Sequence, residues 1–361
     1  VSVALGEVTR VQEKTTNVRL AGRTSRRNVL AATAGMAALS ITPRFAAALA
    51  TQSDGSPAAK ALAKLLLLEQ GVYGVVLMST DGTVVYKQNA DLPFVTASLF
   101  KLVVMVDFFK ARELGEIDFE QWVVLDQAFF PVFEGEDEDI LYDSSMVGAE
   151  VQIAELLHSM IALSSNVAAR ALLSLTTVEE VNQIAQNLGM TNTHIMVEMK
   201  DVAPWPPDSM SGDNPAATEE ALRFVSTAGE TGVVNITTPA DIATLFMELA
   251  NREIVSPEAS DEMIALLSAQ EINDRLPALL PEGTACAHKT GDLDHVVHDA
   301  GIVYGPDQTM IVAVLSEAVP SHERTINVIQ RIGLVAYGEY TLPPIPESAT
   351  PVPGATPVWD G

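Results

Sequence analysis

Ser98 and Lys101 sit three residues apart at the start of an apolar helical stretch, which puts a hydroxyl and an amine on one face about one turn apart. A serine hydroxyl becomes a nucleophile only when a base takes its proton, and a lysine kept in a dry pocket has its pKa pulled down toward that task. The helix N-terminus adds partial positive charge, which favours negative charge developing there. Taken alone the pair is weak: S-x-x-K arises by chance about once in a chain of this length, and a capping serine beside an unrelated lysine is the simpler explanation. Lys289-Thr290-Gly291 closes a strand of small and apolar residues, where the lysine can point into a groove, the threonine can bind a carboxylate and the glycine lets a substrate approach the backbone. Chance supplies that triplet in on the order of one chain in ten. Ser164-Ser165-Asn166 interrupts the helical stretch 151–175, where polar side chains cost stability unless they line a groove; a locally exposed helix face is the alternative.

The elements that must carry these residues follow from periodicity. Residues 73–79 and 83–86 alternate around Asp81-Gly82 and form a hairpin. Residues 96–114 contain no Gly or Pro and place Leu99, Leu102, Val103, Val106 and Phe109 at helical spacing, with Gly115 as the stop. Residues 134–139 are an acidic cluster, expected to be a solvated loop. Helices are expected over 178–188, from Thr238-Pro239 to Ala250, over 257–267 and over 321–337. Strands are expected over 284–290, 299–304 and 309–316, the last two joined by Gly305-Pro306-Asp307-Gln308. The order predicts an α/β fold: an antiparallel sheet built from both chain ends with flanking helices, and an inserted all-helical domain. The α/β part covers about residues 60–95 and 240–340 and the helical part about 96–239. A groove between the two parts is the natural site.

Composition narrows the chemistry further. The chain has 361 residues, 48% of them hydrophobic, enough for a substantial core. Its 21 basic residues face 47 acidic ones, a net charge of −26, so nucleic acid is excluded as a general partner. One cysteine, Cys286, and six scattered histidines offer neither an internal disulfide nor a recognisable metal cage, so no metal or cofactor is expected.

Residues 1–50 reverse the charge balance, with seven basic residues against two acidic ones. Arg26-Arg27 opens an apolar run over 29–41 that ends in Pro43 and the small residues 46–50, the pattern of a twin-arginine export signal. The run has about 13 residues, below the roughly 20 that span a bilayer. The expected mature chain is periplasmic or extracellular, without a membrane span, and monomeric. Residues 341–361 are Pro- and Thr-rich and are expected to form a flexible tail.

Together, Ser98-Leu99-Phe100-Lys101, Ser164-Ser165-Asn166 and Lys289-Thr290-Gly291 resemble the penicillin-recognising serine hydrolases, specifically class A β-lactamases, over about residues 60–340. The resemblance implies that Ser98 is acylated by a β-lactam or a peptidoglycan-like substrate and that Lys101 helps deprotonate it. It implies that Ser164 relays a proton to the departing nitrogen, that Asn166 holds the substrate amide, and that Lys289 and Thr290 bind its carboxylate beside Gly291. The backbone N–H groups of Ser98 and Asp292 would form the oxyanion hole.

Departures from the pattern are specific. The family's ExxLN segment, which positions the hydrolytic water, is missing; Glu198 and Asp201 are the nearest carboxylates, and Glu198 is the candidate deacylation base, with a solvated loop carboxylate as the alternative. Ser165 stands where the family commonly has Asp. Asp292 replaces a small residue and would oppose an anionic substrate if it faced the groove. His298 stands about where the family often has an Arg that assists carboxylate binding, either as a partial substitute or as a strand-surface histidine. A penicillin-binding or D,D-peptidase-like protein, an esterase, and a non-catalytic ligand-binding module remain as alternatives.

Overall fold

The computed structural model describes residues 51–67, 69–130, 139, 141–196 and 235–346. The expected export segment, Glu198 and Asp201 lie outside the described residues. The central sheet joins both chain ends. Strands β1 (Thr51–Ser53), β2 (Val72–Ser79) and β3 (Val84–Gln88) come from the N-terminal side, and β8 (Cys286–Leu293), β9 (Val296–Tyr304) and β10 (Thr309–Glu317) from the C-terminal side. Their order is β1-β3-β2-β10-β9-β8, antiparallel throughout, and β2 seals the two halves against β10 in the register Val76↔Ala313.

Strict alternation along β10 sends its side chains to two different cores. Met310, Val312 and Val314 pack under α1 (Pro57–Leu66) and α8 (His322–Tyr337), while Ile311, Ala313 and Leu315 face the helical side. Each fully buried aliphatic side chain contributes about 1.5–3 kcal/mol of transfer free energy, so a register slip of one residue would be prohibitive. β1 and α1 went unread in the sequence, although Ser56 and Pro57 are a good helix start: Ser56 Oγ accepts from Ala59 N.

The helical part is built on α2 (Phe100–Glu113), which is enclosed on nearly all sides, with Leu102 through Val106 all buried. Around it lie α3 (Ile153–Ala162), α4 (Asn166–Leu173) and α5 (Val178–Asn187). Helices α6 (Pro239–Ala250) and α7 (Pro257–Ser268) share this core with the inner face of the sheet. Two small ribbons complete the frame, β4 (Phe94–Val95) with β7 (Ile236–Thr237) and β5 (Trp122–Val124) with β6 (Glu150–Gln152).

Two expectations change. The stretch 151–175 is two helices, because Ser164 turns into the left-handed region (φ 60°) and Ser165 caps α4 by accepting from Ala168 N. The tail begins later than Thr341: Arg331 reaches the carbonyls of Pro343 and Pro344, and Leu342 and Ile345 pack on the outer core.

Candidate active site

Ser98 lies in a 3₁₀ turn, Ala97–Leu99, that runs directly into α2, and its side chain is half-buried. Ala97 just before it has φ 43°, a conformation unfavourable for a residue with a Cβ and tolerated only where the surroundings enforce it. The enforcement is visible at Val95. Its N–H donates to Glu317 Oε1 at 2.9 Å, and its carbonyl accepts from His298 Nε2 at 2.8 Å. One residue on, Thr96 N donates to Asn235 O at 2.9 Å.

Lys101, one turn along α2 and fully enclosed, points its Nζ into the break between α3 and α4. There it donates to Ser164 O at 2.5 Å, to Asn166 Oδ1 at 2.8 Å and to Ser164 Oγ at 3.3 Å. Lys289, on β8, approaches the same hydroxyl from the sheet, with Nζ 2.9 Å from Ser164 Oγ and 3.0 Å from Thr290 O. Complete burial pulls the Lys289 pKa down to about 7; the fields of Asp292 and Asp299 oppose that shift, and Arg275 adds to it. A hydroxyl has one proton and two lone pairs, so Ser164 Oγ can accept from an ammonium and donate to a neutral amine. That one hydroxyl is within hydrogen-bonding distance of both lysines.

Gly291 explains how β8 comes so close to the Ser98 turn. A Cβ there would lie 3.1 Å from Ala97 Cβ and 3.2 Å from Ser98 N, and so press on the Ser98 backbone. Thr290, beside it, is buried at 1% exposure. Asp292 does not stand alone: Arg275, which sequence inspection passed over, donates from Nη2 to Asp292 Oδ1 at 2.6 Å and from Nη1 to His298 O at 2.8 Å. An enclosed guanidinium thus meets the carboxylate whose charge would oppose an anionic substrate if it faced the groove.

His298 also differs from both readings given to it. It is fully enclosed, with Nδ1 accepting from Ser316 N at 3.1 Å and Nε2 donating to Val95 O. Both ring nitrogens are occupied, and burial lowers its pKa to about 4, so the ring is neutral and holds the run-up to Ser98. The strand-surface alternative fails because β4 covers that face, with Phe94 edge-on to the ring at 6.5 Å. Glu198 lies outside the described residues. Nothing in the sequence spacing marked Arg275 or Glu317, since each acts on a strand distant along the chain.

The profile of a family described as the β-lactamase enzyme family matches residues 57–340. No curated protein matches by sequence. Among solved structures, a β-lactamase from Sphaerobacter thermophilus is 27% identical with a TM-score of 0.62, covering 79% of this chain and 98% of its own. A mutant of PBP-A, described as an acyl-enzyme complex with penicillin G, is 24% identical with a TM-score of 0.61, covering 79% and 96%. A β-lactamase from Chitinophaga pinensis is 19% identical with a TM-score of 0.64, covering 78% and 98%.

Proposed function

The chain belongs to the β-lactamase enzyme family and is a serine hydrolase of that type, and we propose that it opens β-lactam rings through an acyl-enzyme on Ser98. The observation that carries this reading is the convergence of Lys101 and Lys289, from two distant motifs, on the one hydroxyl of Ser164. Ser98 Oγ attacks the lactam carbonyl carbon as its proton passes to Lys101, and the negative oxygen is held by the N–H groups of Ser98 and Asp292. The C–N bond then breaks, and Ser164 delivers its proton to the nitrogen and takes one in return from Lys101, which is left neutral again while Lys289 keeps its own. Lys289 and Thr290 bind the substrate carboxylate, and Asn166 its amide. Water attack on the ester, aided by Glu198, releases the product.

The same reading takes the protein to be exported by the twin-arginine route and to act as a monomer in the periplasm or outside the cell, where it would serve in the response to β-lactam antibiotics. No helix among the described residues is long and apolar enough to cross a membrane. A second reading, a penicillin-binding or D,D-peptidase-like protein with a peptidoglycan-like substrate, is favoured by the missing ExxLN segment. Nitrocefin hydrolysis separates them. Repeated turnover by the native chain, lost in Ser98→Ala and reduced in Glu198→Gln, is the expected result; a single stoichiometric burst would support the second reading.

A further inference from the structure

We infer that Asp139 is a positioning residue for acylation: its carboxylate holds the break between α3 and α4 and so fixes where Ser164 meets the two lysines. The inference rests on the acylation reading above. Asp139 Oδ2 accepts from Ser165 Oγ at 2.6 Å and from Val167 N at 3.2 Å, while Oδ1 accepts from Leu141 N at 3.1 Å and Tyr142 N at 3.3 Å. Ser165, buried at 4% exposure, passes the constraint on, because its Oγ also accepts from Ala168 N and its own N–H donates to Ser159 O. Ser159 in turn is tied to the buried phenol of Tyr142 at 3.1 Å, so Asp139, Tyr142, the end of α3 and the start of α4 form one closed network.

What this network immobilises is a residue in the left-handed region. Ser164 has φ 60°, costly for a residue with a Cβ unless its neighbours over-determine it, and it presents both Oγ and its carbonyl to Lys101. Without the Asp139 carboxylate, one N–H group, that of Val167, and the buried Ser165 hydroxyl at the N-terminus of α4 would lose their acceptor. The carboxylate can be relocated to test this. Asp and Ser are equivalent N-caps, so Ser165→Asp carries an acceptor to the same helix N-terminus. With Asp139 still present, the two anions would repel.

Asp139→Ala, Ser165→Asp and the double variant are compared in the full chain by the burst-phase acylation rate with nitrocefin. Either single change slows acylation about 10- to 100-fold, as a displaced reacting group does, and the double variant recovers to within about threefold of native, a rescue that lost packing would not give. Native-like acylation in Asp139→Ala, or a double variant as slow as that single, overturns the proposal. Should Asp139→Ala fail to fold, Asp139→Asn, which keeps the shape and removes the charge, takes its place in the same cycle. A native chain that forms no adduct refutes the acylation reading instead. Amide exchange at Val167 and Ala168 then decides: faster exchange in Asp139→Ala that the double variant restores sustains Asp139 as the holder of the break, and unchanged exchange refutes it.

Discussion

Two pairs of buried ionisable groups flank the Ser98 turn, and burial acts on them to different ends. In front, Lys101 and Lys289 converge on Ser164 Oγ, and Lys289 is brought to a pKa of about 7. Behind, His298 and Glu317 grip the two sides of the Val95 peptide, and burial moves the histidine down to about 4 and the glutamate up to about 8. Both of those shifts favour the neutral form. The same desolvation brings Lys289 near neutrality beside a shared hydroxyl and keeps His298 and Glu317 neutral against backbone groups, so the partners set what each burial is good for.

Breaking the front pair should have the larger effect. Lys101→Met removes the amine that reaches Ser164 and Asn166, and kcat/KM for a β-lactam should fall by about 10³-fold or more, with the protein still folded by circular dichroism. Lys289→Met should cost less in rate than in substrate binding, and steady-state kinetics would show the loss mainly in KM. Asp292→Asn sharpens the same contrast: its charge raises the Lys289 pKa, so its removal should move the neutral limb of the pH profile of kcat/KM to lower pH.

The rear pair should report in stability against pH. Glu317 has a folded pKa of about 8, above its ordinary 4.5, so its neutral form supports the fold fully below pH 4.5 and that support is lost as pH rises through 8. His298 works in the opposite sense: its contribution is complete above 6.5 and disappears as pH falls through 4. Glu317→Gln should therefore flatten the alkaline limb of the thermal midpoint and leave the acid limb in place, and nitrocefin turnover at pH 7 should change only a few-fold. An alkaline limb unchanged in Glu317→Gln would remove that carboxyl from the account.

The sequence carried the three motifs, the sheet from both chain ends and most helix boundaries, because each depends on local periodicity or on spacing of a few residues. It did not carry the helix break at Ser164, where cap chemistry inside an apolar stretch looks like an interruption until Ser165 is seen accepting from Ala168 N. Arg275, Asp139 and Glu317 were illegible for a different reason: each is a single charged residue whose partner lies on another segment, Asp292, Ser165 and Val95 respectively. His298 was left between a carboxylate-binding substitute and a strand-surface histidine, and only the covering strand β4 revealed that the ring is enclosed.

The central claim, that Ser98 is the acylated nucleophile of this convergent site, is tested most directly by intact-protein mass spectrometry after rapid quenching with a penicillin. The account predicts a mass increase of one penicillin per chain, localised by peptide mapping to Ser98 and absent in Ser98→Ala. An adduct on another residue, or one that persists in Ser98→Ala, would contradict it.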